Sequence, residues 1–186
     1  MSRIKVIKQE EATGRLKDIY DDLIAKRGKL AEVHMIQSLR PESIVKHMEL
    51  YMEIMFTKSE LSRAEREMVA VVVSASNNCE YCQIHHGEAL NQYWKDEQKV
   101  KLLRKDFRKM ELSDRSFRLC AFAQTLTLDP KASNDTDATE PLRNAGLNDN
   151  AILDATLVIA YFNFVNRIVM GLNVNVEKDL GQGYKY

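Results

Sequence analysis

A chain of 186 residues and 21.4 kDa lies in the usual range for one domain, and a hydrophobic content of 45% is enough to fill a core. Lys+Arg 27 cancels Asp+Glu 27, so the basic footprint of a nucleic-acid binder is absent and small molecules or proteins are the expected partners. Three cysteines, only two of them closely spaced, do not make the even framework of a secreted disulfide scaffold and point to a reducing, cytoplasmic setting.

The N-terminus, from Met1 to Glu11, alternates apolar and charged residues and has no apolar stretch before a small-residue cleavage site, so export is not expected. Seven Gly and three Pro leave little turn chemistry for a many-stranded protein, whereas helix formers are plentiful, and the expectation is an all-α fold. Residues 9–26 place Ala12, Leu16, Ile19, Tyr20 and Leu23 at helical spacing, with Gly28 as the stop. Pro41 opens a second helix whose apolar stripe is Ile44, Val45, Met48, Tyr51, Met52 and Met55.

Ser62 with Glu65 three residues later reads as a capping box, and the run from Met68 to Val73 is apolar nearly all round, which predicts a buried helix. At 74–78 the composition turns to residues that break helices and cap new ones. A kink or short loop ending in an Asn N-cap is predicted there, with a new helix near Cys79.

A charged helix over 97–108 and an amphipathic one over 113–128 follow, the latter closed by Asp129-Pro130. Residues 131–137 read as a polar loop, Pro141 starts a brief helix stopped by Gly146, and Leu147-Asn148-Asp149 leads into a long apolar segment to Gly171. The residues from Gly181 read as a tail. Asp154, Asn163, Asn166 and Arg167 interrupt the long apolar stretch, so no transmembrane segment is expected in it. Leu61-Ser62 before a buried helix and a polar break is echoed by Leu147-Asn148, which hints at an internal helical pseudo-repeat.

On a helix from Cys79, the residues Cys79, Cys82 and His86 fall at about 0°, 300° and 340°, one narrow stripe. Cys79 and Cys82 are near enough to form a disulfide, and Cys82 and His86 are one turn apart and able to exchange a proton. A helix N-terminus stabilises a thiolate, and an imidazole can take the thiol proton while a carboxylate orients it. Glu67, in its apolar run, is the carboxylate expected to be paired or to have a raised pKa. His85 is rotated toward the edge of the site. Cys120 reads as core, and His34 and His47 have no partners legible in the sequence. The helix dipole favours Cys79 as nucleophile and the imidazole favours Cys82, so residue chemistry alone leaves that choice open. A zinc or iron–sulfur site is a rival use of Cys-x2-Cys-x3-His, but it lacks the fourth ligand a structural zinc needs.

Glu67, then twelve positions on Cys79-x-x-Cys82-x-x-x-His86, resembles the signature of the alkylhydroperoxidase D (AhpD)-like branch of the carboxymuconolactone decarboxylase superfamily. The runs from Asn78 to Gly87 and from Phe162 to Arg167 resemble its peroxidase-related subgroup. The resemblance implies one AhpD-like helical domain over 1–186, with its core at about 12–174. It implies a homo-oligomer (dimer, trimer or hexamer) without a cofactor or metal, acting on a peroxide with a dithiol donor or a peroxiredoxin. Cys82 is then the nucleophile, Cys79 resolves it, and His86 and Glu67 relay protons. One residue departs from the pattern: the founding alkylhydroperoxidase has a histidine just before the second cysteine, where this chain has Tyr81, a poor base near neutrality. A redox-sensing or metal-binding module without turnover, and a decarboxylase acting on a lactone, are the competing functions; the latter needs no dithiol.

Overall fold

The structure is a computed structural model that describes residues 2–183, and among them it contains helices, turns and no strand. The first helix, α1, runs Gly14–Arg27 rather than from residue 9. A single 3-10 turn, Gln9–Glu11, precedes it, because Thr13 is extended and Gly14 sits at φ 51°. Gly28 ends α1 in the left-handed conformation, as its lack of a Cβ permits. A short turn, α2 (Glu32–Met35), leads to α3 (Pro41–Phe56), which Pro41 opens. On α3 the buried residues are Ile44, His47, Tyr51 and Met55, whereas Met52 is exposed. Position 47 belongs to the inward stripe, and a histidine fills it.

The central helix is α4 (Arg63–Ser76). Ser62 Oγ accepts from the Glu65 backbone N–H, and Glu65 Oε2 accepts from the Ser62 N–H at 2.8 Å, so the capping box forms. Every residue from Arg66 to Ser74 is buried, which is why the run is apolar on nearly all sides. Around it pack α5 (Glu80–Trp94), α6 (Glu97–Asp106), α7 (Asp114–Leu128) and α10 (Asp149–Leu172). Two short helices, α8 (Ala132–Asp135) and α9 (Glu140–Asn144), connect the last two; α8 lies inside the stretch expected to be loop. Residues of α1 build a satellite cluster with Ile44 beside the main core.

Of the described helices, α10 has the length and apolarity to cross a membrane, but it packs against α3, α4, α5 and α7 and buries Asn166 completely. Its start repeats that of α4: Leu61 and Leu147 are both buried, and Ser62 and Asn148 both accept from a first-turn N–H. The segment from Gly181 is not a free tail as far as Gly183. Gly181 lies against the His85 ring, so closely that a Cβ there would sit 3.0 Å from it. Lys29 Nζ donates to the Gln182 carbonyl at 2.9 Å. Tyr184 to Tyr186 lie outside the described residues.

Candidate active site

The break between α4 and α5 differs from expectation in one residue. Cys79, not an asparagine, is the N-cap of α5, and its side chain makes no capping bond. Both asparagines are otherwise engaged. Asn78 takes the left-handed conformation at φ 56°, which asparagine tolerates better than most residues. Asn77 Nδ2 spends its two hydrogens on Asn163 Oδ1 and Asn166 Oδ1, each at 3.0 Å. Asn166 Nδ2 in turn donates to Ser74 Oγ at 3.3 Å, and Asn163 Nδ2 to Thr127 Oγ1 at 3.0 Å. The polar residues of the long apolar segment thus pin the turn that delivers the cysteines, which gives the run from Phe162 to Arg167 a physical task.

Cys79 and Cys82 are joined as a disulfide with their Cα atoms 5.4 Å apart, and both are buried. Because Cys79 precedes the helix, the stripe geometry applies to Cys82 and His86 alone. Cys82 sits in the first turn of α5, where unpaired N–H groups and the helix dipole favour a thiolate once the disulfide is reduced.

His86 lies one turn further along, and its Nδ1 meets Glu67 Oε2 at 2.7 Å. The other oxygen, Glu67 Oε1, accepts from Arg63 Nη2 at 2.6 Å. Glu67 is wholly inaccessible to solvent. Burial alone pushes its carboxyl up, but His86 and Arg63 outweigh that and hold it below the ordinary carboxylate range. Of the two expectations for Glu67, paired or raised, pairing is the outcome. An ionised carboxylate only accepts, so the hydrogen in the His86 contact belongs to Nδ1, and a neutral His86 keeps a lone pair on Nε2. Phe162 packs edge-on against the imidazole, ring centroids 4.4 Å apart, and fixes its plane.

Beside this pair lies a cavity of about 80 Å³, lined by Cys82, by the chain's four histidines and by apolar and aromatic side chains that include Tyr51, Tyr161 and Phe162. The sequence offered no partners for His34 and His47; the fold brings both here. His47 Nδ1 meets Gln37 Nε2 at 2.8 Å and its Nε2 meets Tyr161 Oη at 2.7 Å. Gln37 Nε2 also donates to the Val33 carbonyl, so it is the amide nitrogen and donates to Nδ1. His47 therefore carries its hydrogen on Nε2 and gives it to Tyr161. Burial pushes His47 down to about 4. Burial, with His47 and Arg27 nearby, pushes His34 down to about 3, so both rings are neutral near pH 7.

Tyr81 and His85 form a second cluster, stacked at 4.1 Å. Tyr81 Oη donates to Glu177 Oε1 at 2.9 Å, and His85 Nε2 lies 2.9 Å from Glu177 Oε2. Burial pushes the Glu177 carboxyl up, but His85 and the Glu32 N–H outweigh that and bring it down to about 2. Glu177 stands in an irregular segment after α10, where no sequence pattern marked it. Its bond turns the Tyr81 hydroxyl toward the segment that follows α10. Cys120 is buried in the core, as expected, and burial pushes its thiol up to about 12. Among the described residues no group of three or more His, Cys, Asp or Glu side chains is placed to hold a metal ion.

Comparison with known proteins agrees with this architecture. Residues 44–106, which span α3 to α6 and hold Glu67, both cysteines and His86, match the family model of the Carboxymuconolactone decarboxylase family. No curated protein matches the chain. Among solved structures, the fold is similar to the alkylhydroperoxidase AhpD core of an uncharacterised peroxidase-related protein from Ralstonia eutropha JMP134. That match has a TM-score of 0.86 at 23% identity and covers 97% of this chain and 94% of that one. An uncharacterised peroxidase-related protein from Silicibacter sp. TM1040 matches with a TM-score of 0.82 at 27% identity over 100% of both chains. The debrominase Bmp8, in complex with 2,3,4-tribromopyrrole, matches with a TM-score of 0.80 at 17% identity over 97% of this chain and 96% of that one.

Proposed function

We propose that this protein is an AhpD-like member of the carboxymuconolactone decarboxylase superfamily and a thiol-dependent peroxidase that reduces a hydroperoxide with the Cys79 and Cys82 dithiol. The observation that carries the reading is that Cys82 and His86 line one cavity, with Cys79 bonded to the first and the buried Glu67 to the second. After reduction, His86 Nε2 accepts the Cys82 thiol proton, and Glu67 stabilises the imidazolium that results. The Cys82 thiolate attacks the terminal peroxide oxygen and the O–O bond breaks. Cys82 becomes a sulfenic acid, and the leaving alkoxide or hydroxide takes the proton from His86. The Cys79 sulfur then displaces water from the sulfenic sulfur and re-forms the disulfide, which a dithiol donor or a peroxiredoxin partner reduces in a cytoplasmic setting. One hydroperoxide and two thiols give one alcohol, one water and one disulfide.

The geometry supports Cys82 as nucleophile, since it lies within the first turn of α5, one turn from His86 and on the cavity wall, whereas Cys79 does not line the cavity. Replacing Cys82 with Ser abolishes peroxide consumption with dithiothreitol as donor; continued consumption would refute the reading. Thiol counting after one equivalent of peroxide is expected to show two thiols lost with Cys120 intact. Similarity to Bmp8 raises thiol-dependent debromination of an aromatic ring as a second reading. The cavity weighs against it, being about half the roughly 150 Å³ that admits an unsubstituted benzene ring. A homo-oligomer belongs to the same proposal and is supported by Leu153, Leu157 and Phe164, exposed along one face of α10. Sedimentation of wild type against Phe164→Asp tests it.

A further inference from the structure

Cys79 takes its place from the way α4 ends. Its N–H donates to the Ser74 carbonyl at 2.9 Å, and the N–H of Asn78, the left-handed residue at φ 56°, donates to the Ala75 carbonyl at 3.0 Å. These two bonds make a Schellman motif, in which glycine is the usual left-handed residue. Cys79 is therefore both the last residue of the motif that closes α4 and the N-cap of α5. Asparagine adopts the left-handed conformation less readily than glycine, so the motif gains from support outside its own backbone.

That support comes from α10 and has a fixed direction. The Arg167 guanidinium only donates, and its Nη1 meets Asn163 Oδ1 at 2.8 Å; the Ile159 carbonyl only accepts, and it meets Asn163 Nδ2 at 3.0 Å. The Asn163 amide is oriented by these two partners. Its Oδ1 therefore takes a hydrogen from Asn77 Nδ2, and the second Nδ2 hydrogen goes to Asn166 Oδ1. Asn166, wholly buried, then turns its own Nδ2 to Ser74 Oγ at 3.3 Å. One residue of α10 thus grips the motif twice, at the residue whose carbonyl holds Cys79 and at Asn77, two positions before Cys79.

From this arrangement we infer that Asn77 is a positioning residue for the resolving thiol: bridged to Asn163 and Asn166, it keeps the turn closed so that the Cys79 sulfur stays within bonding reach of Cys82. The inference rests on the peroxidase reading for the sulfenic acid that Cys79 resolves, but not for the closure of the disulfide itself.

Positioning of this kind acts on one step of the cycle. Attack on the peroxide uses Cys82, His86 and Glu67, which stand on α5 and in the middle of α4, outside the 74–79 turn. Closure needs the Cys79 sulfur to meet the Cys82 sulfenic sulfur; the S–S bond forms, the S–O bond breaks, and the Cys79 thiol proton leaves with the hydroxyl as water. A turn that wanders lowers the effective concentration of Cys79 at Cys82 and slows closure alone. Two neutral hydrogen bonds that favour the closed turn are expected to raise that concentration about tenfold.

Asn77→Ala removes both bridges from a half-buried position and leaves the backbone bonds of the motif in place. In glutathione redox buffers the reduction potential of the Cys79–Cys82 pair is expected to rise by about 30 mV, the equivalent of about tenfold for a two-electron couple. After one equivalent of hydrogen peroxide, sulfenic acid on Cys82 that dimedone can trap should persist about tenfold longer. Iodoacetamide trapping of Cys82 in a Cys79→Ser background should stay within about twofold when Asn77→Ala is added, because the thiol and its base are untouched. A general loosening of the fold would slow that trapping as well.

Two variants reach the same contact from α10. Asn163→Asp keeps an acceptor for Asn77 and should hold the potential near wild type, whereas Asn163→Leu removes it and should raise the potential by about 15 mV, or about threefold. This pair decides the matter if Asn77→Ala does not fold. A raised potential in an Asn77→Ala protein whose wild type consumes no peroxide would keep the role of Asn77 and sink the peroxidase reading. Peroxide turnover with potential and sulfenic acid lifetime unmoved in Asn77→Ala, or equal potentials in the two Asn163 variants, would overturn the role of Asn77.

Discussion

Replacing Glu67 with Gln tests the relay at the group on which most depends. Glutamine keeps the shape of the side chain, so no cavity opens; what changes is one charge at a fully buried position. Two partners lose it. Glutamine has one acceptor oxygen for two donors, so with that oxygen kept on Arg63 the imidazolium that forms when His86 takes the Cys82 proton loses its charge-assisted hydrogen bond at 2.7 Å, about 1.5–3 kcal/mol. At about 1.4 kcal/mol per factor of ten, the reactive thiolate–imidazolium population falls about ten- to hundredfold. Arg63, at 2.6 Å from the other oxygen, is left with a guanidinium facing a neutral amide, and breaking such a buried pair costs about 3–5 kcal/mol of stability. Arg63 keeps a carbonyl partner at Met55 and the face of the Phe56 ring, so the lower end of that range applies. The assay is the rate of iodoacetamide trapping of Cys82 at pH 7 in a Cys79→Ser background, with a urea melt on the same protein. The expected outcome is a ten- to hundredfold slower reaction in a protein that still folds but melts at lower urea. Trapping at the wild-type rate in folded Glu67→Gln would refute the relay.

The pH dependence of stability tests the neutral histidines. His34 and His47 are brought to about 3 and about 4 in the folded protein, so between those values and pH 6.5 the unfolded chain binds protons that the folded one refuses. Stability is therefore full above pH 6.5 and falls as pH drops, by up to about 2.7 kcal/mol per unit for two such groups. Urea melts between pH 5 and 6.5, above the carboxylate range, should show this slope, and a flat profile would contradict it. For Glu177 the folded value of about 2 lies below the ordinary 4.5, so its contribution is present above 4.5 and lost as pH falls toward 2. Glu177→Gln should melt earlier at pH 7 and lose that acid-dependent component; an unchanged acid profile would show the Tyr81 and His85 contacts to be idle. Tyr161→Phe leaves the His47 Nε2 hydrogen buried without an acceptor and should cost about 1–3 kcal/mol in a denaturant melt, with the thiol trapping rate unchanged. A melt identical to wild type would mean that the His47–Tyr161 bond contributes nothing.

Much of the reactive centre was legible in the sequence because it is local. The capping box at Ser62 and Glu65, the apolar run after it and the Cys79-x-x-Cys82-x-x-x-His86 spacing all act through neighbours within one or two helical turns. Glu67 could be chosen because an acid in an apolar run needs a partner, and His86 is that partner. His47 left a trace as well, standing at helical spacing between the buried Ile44 and Tyr51. Where local rules failed, a distant group had claimed the residue first. Asn77 does not cap α5, because it ends α4 as its C-cap while its amide bridges to Asn163 and Asn166 on α10, and the N-cap falls to Cys79.

The sequence by itself determined an all-α chain, the positions of its main helices and a dithiol one turn from an imidazole, since helix periodicity and caps are written in contiguous residues. Only the tertiary structure decided that Glu67 is ionised and doubly bonded, that Glu177 holds Tyr81 and stands beside His85, and that His34 and His47 meet at the cavity beside Cys82. The physical reason is that hydrogen-bond satisfaction and desolvation depend on which distant atoms surround a group, and no spacing along the chain encodes that.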